Sequence, residues 1–196
     1  MKKVLFILAI AIAATGSVNA QDVKIGAKVG LNLANITGDF DGDDLDAKTG
    51  FNLGVFAEIS LSDKLIFQPE LLFSTQGAKS EETNYNYSLK LNYLNIPLMI
   101  KYAVTDKFAL ELGPQVGFLL SANEEETFNG ETASDEEDVK DYFKSIDFGL
   151  NFGASFDVSE KIIIGARYNL GLSNISDIED INVKNSLFSL SVGYRF

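Results

Sequence analysis

Eight stretches of this chain alternate apolar and polar residues with a period of two, and that repeated pattern restricts the fold more than any single residue does. The first stretch puts Val23, Ile25, Ala27, Val29, Leu31 and Leu33 on one face and Lys24, Gly26, Lys28, Gly30 and Asn32 on the other. An amphipathic helix would repeat its apolar positions every 3.6 residues, so six in strict alternation describe a strand. The pattern returns over Phe51–Leu61, Leu65–Phe73, Leu94–Tyr102, Phe108–Leu120, Ile146–Phe156, Ile162–Leu172 and Phe188–Phe196. In the fourth stretch Tyr93, Pro97 and Met99 are mixed into the polar face.

The connections alternate in length. Tight turns are expected near Ser62-Asp63-Lys64, Val104-Thr105-Asp106 and Val158-Ser159-Glu160, and long polar loops over residues 35–48, 79–90, 121–142 and 173–186. Three short turns and four long loops place both termini at the turn end. This is the layout of an all-β fold, an eight-stranded antiparallel up-and-down transmembrane β-barrel. Pro69, Pro97 and Pro114 fall inside strands, where a missing N–H predicts local bulges.

Alternation by itself leaves open which way the apolar face points. A soluble carrier turns it inward around a ligand, whereas a membrane barrel turns it toward lipid and keeps a polar lumen. The polar face here is rich in glycine and carries charges of both signs: Lys24, Lys28, Lys101, Arg167 and Arg195 with Glu58, Glu70, Glu111 and Asp147. These nine are expected to form a lumen charge network, since buried charges persist when paired. The apolar face carries two aromatic belts. Phe67, Tyr102, Phe108, Phe156, Tyr194 and Phe196 lie toward the turn end, and Phe51, Phe73, Phe118 and Tyr142 toward the loop end. The bilayer is therefore the expected first partner. The final nine residues alternate to a terminal Phe196, resembling the signal that outer-membrane proteins present to the barrel assembly machinery.

The N-terminus reads as an address. Met1-Lys2-Lys3 is a basic start, Val4 to Ala14 is an eleven-residue apolar run, and Val18-Asn19-Ala20 is a small-x-small cleavage site. Residues 1–20 are thus expected to be a signal peptide and 21–196 the barrel domain. The whole chain of 196 residues carries 16 Lys and Arg against 28 Asp and Glu. Such acidity argues against a nucleic-acid partner. With no Cys and no His, thiol chemistry, disulfides, the commonest general base and the commonest transition-metal ligand are absent.

Several segments carry a further resemblance. Gly26-Ala-Lys-Val-Gly-Leu-Asn-Leu33, Lys48-Thr-Gly-Phe-Asn-Leu-Gly-Val-Phe56 and Phe67-Gln-Pro-Glu-Leu-Leu-Phe73 are joined by Leu91-Asn-Tyr-Leu-Asn-Ile-Pro-Leu98, Leu112-Gly-Pro-Gln-Val-Gly117 and Ala166-Arg-Tyr-Asn-Leu-Gly-Leu172. Together they resemble the PorT-like outer-membrane β-barrel family, small porin-family proteins of Gram-negative envelopes. The resemblance implies an eight-stranded barrel in the outer membrane and little about activity.

The loops offer two candidates. Residues 122–141 contain nine acidic side chains and one basic, which suits a cation- or partner-binding loop or simply a solvated one. Asp39, Asp41, Asp43 and Asp46, with Gly42 among them, form a weak calcium candidate. Asp44 stands at the sixth position where a calcium loop needs Gly, and Gly50 at the twelfth where it needs Glu. No other cofactor is expected. No nucleophile–base arrangement stands out, and Glu58 and Glu70 are expected to pair with lumen cations rather than act as acid and base. The expected function is that of a non-enzymatic outer-membrane barrel serving envelope structure or loop-mediated interaction with an unnamed partner. The alternatives are a narrow pore for small solutes, a membrane-embedded hydrolase and a soluble carrier of apolar ligands.

Overall fold

The structure, a computed structural model, describes residues 23–38, 45–81, 85–128, 131–132 and 136–196. The signal-peptide segment expected over 1–20 lies outside them. Eight long strands follow one another: β1 (Val23–Gly38), β2 (Asp46–Ser60), β3 (Leu65–Glu81), β4 (Tyr85–Ala103), β5 (Phe108–Phe128), β6 (Ile146–Asp157), β7 (Ile162–Gly171) and β8 (Val183–Arg195). Each pairs antiparallel with its sequence neighbours, and β1 pairs with β8, which closes the ring. Two further two-residue pairings, Glu131–Thr132 and Glu137–Asp138, lie between β5 and β6 and hydrogen-bond to β5.

The faces are inverted relative to a water-soluble protein. Leu31 is 69% exposed while its neighbour Asn32 is 1% exposed. The same inversion runs around the ring. Leu53, Leu112, Phe148, Ile164 and Leu190 point out, while Asn52, Glu111, Asn151 and Asn169 point in. An exterior of this kind is stable only where hydrocarbon replaces water, and a closed ring leaves no backbone edge unpaired.

The three tight turns share one construction. Leu61-Ser-Asp-Lys-Leu65, Val104-Thr-Asp-Lys-Phe108 and Val158-Ser-Glu-Lys-Ile162 each close with a backbone bond from the first residue to the fifth, at 2.8, 2.9 and 2.9 Å. In each, the Ser or Thr hydroxyl accepts from the backbone N–H groups two and three residues on.

Two expectations are corrected. Segments 79–90 and 121–128, expected to be loop, are largely strand: β3, β4 and β5 run for 17, 19 and 21 residues. At about 3.3 Å per residue and a tilt near 40°, β5 reaches about 50 Å, twice the roughly 25 Å apolar band of such a barrel. Its far end stands in water, so it carries no apolar alternation. The prolines, secondly, produce no bulge. The ladder lapses beside each and resumes in the same register, because one missing N–H removes a bond without adding a residue. The register shifts instead between Ala47 and Asn52 of β2 and at Asn92/Tyr93, where Leu120 and Ser121 of β5 crowd against one partner. The second shift lets Leu119 and Ala122 both face inward.

Candidate functional site

The lumen is the polar interior of this membrane fold, and three layers fill it. The layer nearest the turns is ionic. Arg195 grips Glu58 through Nε (2.6 Å) and Nη2 (3.1 Å), and holds Asp157 at 2.9 and 3.0 Å. Lys101 reaches Glu58 at 2.9 Å and Glu111 at 3.6 Å. Arg167 binds Glu111 at 2.7 Å and both oxygens of Glu70 at 2.9 and 3.1 Å, and Lys28 meets Glu70 at 3.0 Å. Four cations and four anions thus alternate along one connected path. Phe56 packs beneath them with Lys28 5.8 Å from its ring centre. Gly26 leaves the space that ring occupies, since a Cβ there would collide with it.

The middle layer is made of amides and a hydroxyl. Asn52 donates to Asn32 (2.6 Å), Asn32 to Ser74 (3.0 Å), Asn169 to Asn151 (3.1 Å) and Asn151 to Gln115 (3.1 Å). Two voids remain beside this layer and the ionic one, of about 20 and 30 Å³, room for a water or two. The acceptors Gln68 Oε1 and Asn95 Oδ1, each on the wall of one void, have no hydrogen-bond partner among the described residues.

The loop end is stopped by an apolar plug. Leu91, Tyr93, Leu119, Ala122, Val139 and Ile175 are its centre, so β4, β5 and two loops all contribute. The loops are interlocked. Phe143 bridges Ser176, Lys144 N–H donates to the Ile175 carbonyl (2.8 Å), and Asp177 N–H donates to the Tyr142 carbonyl (2.9 Å). Asn174 then ties the second loop to β8 by accepting from Val183 N–H at 2.9 Å. Just outside the bilayer span, Tyr87 donates to Glu124 at 3.2 Å, and burial together with that carboxylate holds its phenol above the usual range. Lys90 pairs with Glu125 and Glu136, which raise its pKa.

Seven of the nine residues expected in the charge network, Lys28, Glu58, Glu70, Lys101, Glu111, Arg167 and Arg195, come together. Lys24 does not: it stands opposite Glu58 in register but is exposed at the rim, and Glu58 is taken by Lys101 and Arg195. Asp147 is buried yet lies a layer away, bonded to Ser173 (2.7 Å) and Asn185 (2.8 Å), because its strand position is near the loop end. Asp157 completes the network. It has the same parity as Asn151 and Gly153, and that parity was the signal for it. Tyr142 belongs to a short 3-10 turn in the interlocked loops rather than to an aromatic belt. Of the calcium candidates, Asp39, Asp41 and Asp43 lie outside the described residues. Asp46 is exposed at the start of β2, opposite Lys79 in register. Among the described residues no group of three metal-ligating side chains gathers.

A search of curated proteins finds no match. Solved structures do match. The attachment invasion locus protein Ail of Yersinia pestis has 18% identity and a TM-score of 0.53, covering 89% of this chain and 99% of that one. Neisserial surface protein A has 14% identity and a TM-score of 0.56, covering 90% and 100%. At those identities the likeness is one of fold. A family model matches residues 19–177, most of the chain, and with the closed ring and inverted faces it shows that the chain belongs to the outer membrane protein beta-barrel domain family and resides in the outer membrane.

Proposed function

We propose that this is a non-enzymatic, non-conducting outer-membrane protein whose barrel anchors an ordered extracellular surface for interaction with a partner. The observation that carries this reading is the filled lumen. Ion pairs, an amide layer and an apolar plug succeed one another along the axis, and the voids beside the first two, among the described residues, are about 20 and 30 Å³. Eight strands enclose just enough room for side chains. The carboxylates best placed for acid–base work are each committed to two cations, Glu58 to Lys101 and Arg195, and Glu70 to Lys28 and Arg167. The long loops fall on the outer side in barrels of this kind. Their interlocking favours a shaped surface over a loose one.

The motifs quoted above support a place among PorT-like barrels, and the alternating end at Phe196 supports recognition by the barrel assembly machinery. Purified protein in planar lipid bilayers tests the central reading. No stepwise current is expected at 1 M salt, and reproducible ohmic steps would replace it with a narrow pore for small solutes.

A further inference from the structure

Above the plug, between the interlocked loops and the wall of β4, lies an open cleft of about 610 Å³. Its floor is Ile36, Leu89 and Val183, and its lip carries Tyr142 and Ile178, 57% and 47% exposed although they face water rather than lipid. Three rings, Tyr87, Tyr142 and Phe143, line it. Among the described residues the one charged lining residue is Asp180, held at φ 62°, a left-handed conformation that Asp tolerates and most side chains avoid. The size and apolar lining are those of a small-molecule site. Both walls are fixed beforehand, one by β4 and the other by the Phe143–Ser176 bridge and the Asn174 bonds.

We propose that this cleft binds a small organic cation with an apolar body, of the alkyl- or arylamine class. Aromatic faces attract ammonium groups, and Asp180 supplies the only formal charge among the described lining residues. The chain's excess of acidic residues favours a cation over an anion on approach. An anion would meet Asp180 with no compensating Lys or Arg among the described lining residues. The proposal deepens the reading of the extracellular surface as an interaction site and rests on it.

The test uses the full mature barrel in nanodiscs of zwitterionic lipid, so that the bilayer itself does not collect cations. Saturation-transfer NMR follows 2-phenylethylammonium and its neutral counterpart 2-phenylethanol. Saturable binding of the amine is expected, at least about fivefold tighter than the alcohol. Asp180→Asn keeps a residue tolerant of positive φ and should erase that preference while leaving alcohol binding unchanged. Ile178→Lys, which puts a cation on the lip, should abolish amine binding. Heat-modifiable mobility on gels confirms that each variant is folded. No saturation of the amine up to about 10 mM, equal binding of the two compounds, or a preference that survives Asp180→Asn would each overturn the proposal. The conductance experiment reads the lumen independently, so a failed titration and a leaking barrel are separate results.

Discussion

Glu70 and Arg167 are 97 residues apart in the chain and sit on strands β3 and β7, four places apart in the ring whichever way it is counted. They therefore face each other across the full width of the barrel, joined by two parallel bonds of 2.9 and 3.1 Å. Arg167 also holds Glu111 of β5, and Glu70 also holds Lys28 of β1. One strut thus ties four alternate strands of the ring. Closure of an eight-stranded sheet fixes its circumference, and this cross-brace fixes its section.

Arg167→Leu leaves Glu111 with one distant cation and Glu70 with Lys28 and the Gln68 amide, while the barrel walls stay in place. Removing one partner of a buried pair costs about 3–5 kcal/mol. We expect the urea midpoint of the refolded barrel in liposomes to fall accordingly, with no new conductance. Neutralising the stranded carboxylates in Arg167→Leu/Glu70→Gln/Glu111→Gln should recover part of the loss. A large ion current from the single variant would mean that the ion pairs, and not the plug above them, keep the lumen closed.

Gly26 and Phe56 make a second pair whose coupling is measurable. The ring fills the space a Cβ at position 26 would need. Gly26→Val should destabilise the barrel by about 1–3 kcal/mol through overpacking. The Tyr194 carbonyl also lies 2.5 Å from that Cβ, so combining it with Phe56→Leu should recover only the part of the loss due to the ring. Additive losses in the double variant would assign the cost to the Tyr194 carbonyl and not to the ring.

How much of this was visible in the sequence depends on which environment each residue meets. Leu31 and Asn32 face lipid and lumen, and their contrast writes itself into the sequence as alternation, so the strands and faces of the bilayer span were legible. Lys28, Glu58 and Arg167 could be placed inward by parity alone. Parity could not say that Lys24 lies beyond the rim or that Asp147 lies a layer too high, because height along the axis depends on tilt and register. Leu89, Val139 and Ile175 were illegible as a plug. Leu89 does alternate with period two, beside Tyr87, Leu91 and Tyr93, but on the inward side, and Val139 and Ile175 reach it only through long-range packing of loops, which neither periodicity records.

Ile175 is the clearest test of that plug. It is fully buried and its backbone joins both neighbouring elements. Ile175→Asp puts an unpaired charge among apolar side chains, at a cost of several kcal/mol to the local structure. The barrel below does not depend on it. We expect protease to cut between residues 139 and 183 far faster than in the wild type, while heat-modifiable mobility is retained. Loss of both would mean that the plug and the barrel fold as one unit.

Tyr87 gives the extracellular end a pH dependence with a definite sign. Burial and the adjacent Glu124 raise its phenol pKa above the ordinary 10.0 in the folded protein. The stability it contributes is therefore complete below about pH 10 and is lost as pH rises beyond that, when the unfolded phenol ionises first. The melting temperature should fall between pH 10 and 12. The fall should be shallower in Tyr87→Phe. Identical profiles would assign the alkaline loss to other groups.

Phe196 separates recognition during assembly from stability of the finished barrel. Strand β8 ends at Arg195, and Phe196 adds one backbone bond, its N–H to the Ile25 carbonyl at 2.9 Å, with a ring that is 77% exposed. Its contacts within the folded protein are therefore few, about 1 kcal/mol for the hydrogen bond and less for the ring contact with Tyr194, and the rest of the side chain faces the lipid or detergent around the barrel. Deleting it should leave the melting of protein refolded in detergent nearly unchanged. If the alternating end is what the assembly machinery reads, the same deletion should lower the heat-modifiable protein recovered from outer membranes several-fold. Equal losses in both measurements would make Phe196 a structural residue. A loss in neither would remove the terminal residue from the recognition signal and leave the task to the alternation of Phe188, Leu190, Val192 and Tyr194.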